Sequence, residues 1–158
     1  MATLNNLLTD LGELNKKIAV IAKKYGYVYE DDFGALEYDD NDPDQHFMES
    51  ELREVLDNLA QAHASIQYLR TPIEHTGPLT KDENGRYCCG NRTYTSGSSI
   101  ELMAPALNRD GDSVEAWRSG RIEYSSKRGD YYFVQDPEIS LEGRLARYRE
   151  YRSPEAFY

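Results

Sequence analysis

The sequence predicts an α+β fold: an N-terminal antiparallel helical hairpin, a small antiparallel β barrel or rolled sheet, and a C-terminal helix. Three observations carry that reading. Apolar residues as far as Leu69 recur at alternating steps of four and three, turn dipeptides crowd the stretch from Asn84 to Gly129, and Asp136-Pro137-Glu138 precedes a last helically spaced apolar set. The corresponding parts are an acidic hairpin over 1–72, a β domain over 77–135 and a helix with its tail over 136–158.

The first helix is written by Leu7, Leu11, Leu14, Ile18, Ile21 and Tyr25, with Gly26 where a C-terminal cap belongs. Lys16, Lys17, Lys23 and Lys24 lie in its second half, toward the negative end of the helix dipole. Met48, Leu52, Val55, Leu59, Ala62, Ile66 and Leu69 write the second, which stops before Thr71-Pro72. Two such seams pair most simply with each other, and an amphipathic hairpin of this kind also pairs with a second copy, so a homodimer is an open expectation. The connection "YVYEDDFGALEYDD" has the residues for a short β-hairpin.

Between the helices, "DDNDPDQHFMESE" poses a choice. Asp40, Asp42, Asp44 and Glu51 fall on positions one, three, five and twelve of a calcium loop. Gln45 replaces the glycine that such a loop needs for its sharp turn, and Pro43 sits inside it. A helix start fits better, with Asp42 as N-cap, Pro43 as the first helical residue and Gln45 as the capping-box partner. No metal or other cofactor is expected.

After the linker "RTPIEHTGP" the period changes to that of strands. Turns are read at Asn84-Gly85, Gly90-Asn91, Ser96-Gly97, Asp110-Gly111, Ser119-Gly120 and Arg128-Gly129, separating "RYCC", "RTYT", "SIELM", "VEAWR", "RIEYSS" and "DYYFV". Asp136-Pro137-Glu138 then repeats the cap chemistry of Asp42-Pro43-Asp44 and opens a helix through Leu141, Leu145 and Tyr148.

The stretch "NGRYCCGNRTYTSGSSIEL", with "AWRSGRIEYSS" and "DYYFV", resembles a small uncharacterised domain, a domain-of-unknown-function family, of proteins carried by mobile genetic elements of Gram-positive bacteria. The resemblance covers about residues 78 to 135 and brings no catalytic motif. It implies a context of plasmids, phages and conjugative elements, whose small acidic proteins include anti-CRISPR and anti-restriction inhibitors.

Charge is concentrated. Residues 1–76 hold 6 Lys+Arg against 15 Asp+Glu, and residues 77–158 hold 12 against 13, so nearly all of the net −10 belongs to the first half. Glu30, Asp31, Asp32, Glu37, Asp39, Asp40, Asp42, Asp44, Glu51, Glu54 and Asp57 are the candidate partner-binding acids. Glu51, Glu54 and Asp57 at steps of three offer a row of charge at a density comparable to a phosphate backbone. The other explanation of such a stripe is a solvated face. Arg86, Arg92, Tyr94, Arg118, Arg121 and Arg128 form the alternative candidate, an Arg/Tyr mixture suited to single-stranded nucleic acid, which the aromatic core of a small sheet explains equally well.

Enzyme chemistry finds no foothold in the sequence. No phosphate-cradling glycine motif, zinc-spaced histidine pair or nucleophile motif is present, and His46, His63 and His75 stand apart. His63 adjoins the second seam and reads as a packing residue, and "TSGSS" reads as a turn. The adjacent Cys88 and Cys89 cannot join without strain and read as two reduced thiols. The longest aliphatic run, Ile18 to Ala22, is too short to span a bilayer, and no secretory signal is evident, so a cytoplasmic location in a bacterial host cell is expected. The expected protein is therefore a non-enzymatic inhibitor. Its expected partner is an effector with a basic nucleic-acid groove, an RNA-guided CRISPR nuclease.

Overall fold

The computed structural model describes residues 3–27 and 33–150, which form two compact units divided at Thr71 and Pro72. The fold is α+β, with two helices followed by antiparallel sheets.

In the first unit, α1 runs Leu4–Lys24 and α2 runs Pro43–Arg70. Thr3 and Asn6 close a capping box on α1. Its other end is a Schellman turn: Gly26 takes φ 64°, its N–H donates to Lys23 O, and the Tyr27 N–H donates to Ala22 O at 3.0 Å. The helices are antiparallel, because Gly12 lies against Arg70, Asn15 Nδ2 donates to His63 O at 3.3 Å, and Tyr27 OH donates to Asp57. Ile18, Ala22, Tyr27 and Leu56 make the core, with Ala19, Phe33, Leu59 and Ala60 packed on it.

The packed face is rotated from the expected seams. Asn15 and Ala22 on α1 and Glu49, Leu56 and His63 on α2 are buried, whereas Leu7, Leu14, Ile21, Met48, Leu52, Val55 and Leu69 remain exposed. Small residues such as Gly12, Ala19, Ala22 and Ala60 explain the rotation, since a face of small side chains lets two helix backbones approach. Of the connection, Phe33–Asp40 contains no strand, and its partner residues 28–32 lie outside the described part, so the expected β-hairpin is not formed by the residues described.

The second unit has eight strands: β1 Ile73–Pro78, β2 Thr80–Lys81, β3 Tyr87–Cys89, β4 Arg92–Thr93, β5 Ser99–Leu107, β6 Ser113–Ser125, β7 Asp130–Phe133 and β8 Leu145–Arg149. They pair as a five-stranded sheet in the order β1-β8-β5-β6-β7 and a three-stranded sheet in the order β2-β3-β4. One core joins both sheets, including Leu79, Tyr87, Cys89 and Tyr94 as well as Leu102, Ile122, Phe133, Leu141 and Ala146. The sheets stay open, so the barrel expectation is corrected: β1 and β7 are the edges of the larger sheet.

Three further expectations change. The linker "RTPIEHTGP" contains β1, which pairs with β8 from Ile73↔Arg149 to Pro78↔Leu145. The expected C-terminal helix is absent from the described residues 136–150, of which residues 136–144 turn, with Gly143 at φ 71°, into β8; residues 151–158 lie outside the described part. "LARYR" alternates, placing Arg147 and Arg149 on one face where both reach Glu101, and that period of two overrides the coincidental helical spacing of Leu141, Leu145 and Tyr148. The predicted turn at Ser119-Gly120 lies inside β6. There a Cβ on Gly120 would fall 2.3 Å from Phe133 Cε2, so the glycine marks close packing. The other five turn glycines, Gly85, Gly90, Gly97, Gly111 and Gly129, all take positive φ.

Candidate partner-binding surfaces

The acidic segment divides into carboxylates that build structure and carboxylates that face solvent. Asp42 is the N-cap of α2, its Oδ1 accepting from the backbone N–H of Asp44 at 2.9 Å and of Gln45 at 3.3 Å. The Gln45 amide also donates to Asp42 Oδ2, and these bonds hold the Asp42 carboxyl below the ordinary carboxylate range. Gln45 Oε1 accepts from the Asp39 N–H at 2.9 Å, so the capping-box return bond goes to Asp39 instead of the cap residue. Asp39 Oδ1 accepts from the Asn41 N–H, closing an Asx turn, and Asp40 pairs with His46 at 2.7 Å. Asp57 accepts from Tyr27 OH, and Glu49 is buried against Arg53.

Glu37, Asp44, Glu51 and Glu54 remain, exposed and without an ion pair among the described residues. Glu30, Asp31 and Asp32 lie outside the described part. The proposed row of three is thus two free acids, Glu51 and Glu54, and one, Asp57, engaged in the hairpin core.

The basic candidates are mostly engaged too. Arg118 donates to Pro105 O at 3.0 Å and pairs with Asp136 at 3.4 Å; Arg121 pairs with Glu123 at 3.0 Å; Arg128 pairs with Glu138 at 2.8 Å and lies over Tyr132. Arg92 sits over the rings of Tyr94 and Tyr148 at 5.7 and 5.6 Å. Tyr94 itself is fully buried, so its ring has no face for a base, a correction to its place among the stacking candidates.

Of these six, Arg86 lines an open cleft of about 420 Å³ shared with Lys81, Asn84, Tyr124, Asp130 and Tyr131. Tyr124 and Tyr131 meet edge-on with centroids 5.2 Å apart, and Lys81 Nζ donates to Asp130 Oδ2 at 2.8 Å. Burial pushes the Asp130 carboxyl up, but the bonds from Lys81, the Tyr131 N–H and Tyr87 OH outweigh it and leave it below the ordinary range. Lys81 is correspondingly raised by its bond to Asp130. Sequence reading missed Lys81, Asp130 and Tyr131 as neighbours. The available signal was "KDENGR", a hairpin turn that brings Lys81 and Arg86 to one end.

The compact unit that carries this cleft is also the part of the chain that resembles known sequence. Residues 77–148 match the domain of unknown function DUF5348. The match begins at Gly77 in β1 and ends at Tyr148 in β8, so the matched segment extends past the 78–135 expected from the sequence and takes in most of β8. That expectation of an uncharacterised domain is borne out. No curated protein and no solved structure matches the chain.

The described residues gather no group of three or more His, Cys, Asp or Glu able to hold a metal, and they include no helix long and apolar enough to cross a membrane.

Proposed function

We propose that this protein acts by binding, as a non-enzymatic inhibitor of mobile-element origin that occupies the basic nucleic-acid groove of a bacterial defence effector in the host cytoplasm. An RNA-guided CRISPR nuclease is the proposed effector. The observation that carries this reading is an asymmetry of pairing. Glu51 and Glu54 face solvent on α2 without cation partners among the described residues, while Arg118, Arg121 and Arg128 are each tied to a carboxylate. The free charge at this stretch of α2 is therefore negative, and neighbours three apart on a helix lie about 5–6 Å from each other, a spacing a phosphate-binding groove accommodates. Such a surface is steered to a positive channel and weakened by salt.

The test is a target-DNA cleavage assay with a purified nuclease, adding the protein before or after guide loading. Wild type should inhibit, and Glu51→Lys with Glu54→Lys should abolish inhibition with helicity intact by circular dichroism. Asp57→Lys serves as a contrast, because losing the Tyr27 bond should lower hairpin stability. Inhibition unchanged by the double reversal would remove the acidic mechanism.

One observation favours a second reading, single-stranded nucleic-acid binding by the β unit: Arg86 lines the cleft beside Tyr124 and Tyr131 and has no ion pair among the described residues. Fluorescence anisotropy with a labelled oligonucleotide separates the two. Salt-dependent binding lost in Arg86→Ala would support the cleft, and absence of binding would leave the acidic surface.

A further inference from the structure

The two helical seams follow a strict heptad, and the hairpin uses only part of it. Numbering the apolar seam positions a and d, Leu11, Ile18, Tyr25, Leu52, Leu59 and Ile66 are a, and Leu7, Leu14, Ile21, Met48, Val55, Ala62 and Leu69 are d. Residues one beyond each d are e: Leu8, Asn15 and Ala22 on α1, Glu49, Leu56, His63 and Arg70 on α2. Leu8 is half-buried and Arg70 exposed; the other five e residues are buried, as are the a residues Ile18 and Ile66. None of the d residues is. The six large ones, Leu7, Leu14, Ile21, Met48, Val55 and Leu69, are each 48–59% exposed.

Both helices therefore pack mainly through e and part of a, and the large d side chains stay about half exposed. An antiparallel pair that meets through equivalent positions is related by a local two-fold axis perpendicular to the helices, so equivalent columns emerge on the same side. The two d columns consequently form one apolar face. Leu52, an a residue, is exposed as well and widens it.

We propose that this face is the interface of a homodimer in which two hairpins join as a four-helix bundle. The occupant is a second copy for two reasons. Helices that use one side of an apolar seam on a first neighbour and keep the other side apolar pack in bundles of four, and one hairpin supplies two. The face also carries its own two-fold axis, so a rotated copy presents an equivalent surface, as an isologous interface requires. The area is adequate. The half-exposed large side chains offer on the order of 600 Å², and the stems of the flanking Lys17, Lys24 and Glu51 bring the face near the about 800 Å² per partner of a standard interface. The proposal meets the inhibitor reading at one residue: Glu51, at position g, flanks this face, whereas Glu54, at position c, lies off it.

Sedimentation velocity of the full chain across a concentration series tests it. Wild type should sediment as a dimer, and Leu14→Lys with Ile21→Lys as a monomer of unchanged helicity. Val20→Lys, at an exposed c position, should remain a dimer. Should the lysine pair lose helicity, Leu14→Ala with Val55→Ala takes its place, with dimer dissociation raised about tenfold or more. A monomeric wild type would overturn the proposal, whether the β unit or a different protein covers the face. So would a dimer that Leu14→Lys with Ile21→Lys, or the alanine pair in its place, leaves intact, or one that Val20→Lys dissociates.

Discussion

Glu101 on β5 accepts from Arg147 Nε on β8 at 2.5 Å, and the same carboxylate accepts from Arg149 Nε at 2.7 Å. Glu101 is buried, and the Arg147 guanidinium is further covered by the Trp117 ring 4.3 Å away. Removing the acid would leave two largely buried cations facing each other. Glu101→Ala should therefore destabilise the β unit by about 3 kcal/mol, the cost of breaking a buried pair from one side. Thermal denaturation followed by circular dichroism in the strand region should show the drop, and Glu101→Gln should cost less by keeping acceptors in place.

Gly120 gives a steric counterpart. A Cβ there would meet Gln135 Oε1 at 2.0 Å and Phe133 Cε2 at 2.3 Å. Gln135 can swing away only by giving up its bond from the Arg121 N–H, and Phe133 is fully buried. Gly120→Ala should cost about 2 kcal/mol, in the range of overpacked cores, read as a lowered urea midpoint with an unchanged slope.

The adjacent thiols should differ in reactivity. Cys89 Sγ is buried near Gly77 O and Ala146 O, and burial pushes its thiol pKa up, whereas Cys88 is half-buried beside Thr93. A thiol reagent near neutral pH should titrate one cysteine in the native protein and both in denaturant. Two fast thiols in the native state would contradict this packing.

The Lys81–Asp130 pair sets a pH window. Asp130 is held below its ordinary 3.8, so its contribution is present above that value and is lost as pH falls through the folded pKa. Lys81 is raised above its ordinary 10.5, so its contribution is present below that value and is lost as pH rises through the folded pKa. Both side chains are more than a third exposed, which limits the pair to about 0–1 kcal/mol. The melting-temperature difference between wild type and Asp130→Asn should be flat between these limits and shrink in acid.

Legibility in the sequence followed the range of the interactions. Local chemistry was readable: the Asp42-Pro43 helix start, the Gly26 cap and five of the six turn glycines appear where spacing put them. Heptad spacing located both helices yet not the face they bury, because small residues outside the seam decide how two backbones meet. The C-terminal segment misled for a related reason. Its strand identity rests on Glu101, distant in sequence, and no window around Leu145 contains that partner. For the candidate surfaces, composition identified the acids and arginines but not their pairing. Which of them are free depends on partners such as Tyr27 for Asp57 and Asp136 for Arg118.

The position of β8 bears on the order in which the chain can fold. Its neighbours are β1, the first strand of the sheet, and β5, so the sheet has an internal gap until the chain through Arg149 has left the ribosome. Before that moment β1 has no ladder partner within the larger sheet and Glu101 has neither arginine. The helical pair closes over a short span of sequence, so it can form during synthesis while the sheet waits for its last strand. A nascent chain stalled before Leu145 would display a finished hairpin attached to an unfilled sheet, with the exposed strand edges of β1 and β5 as its aggregation hazard.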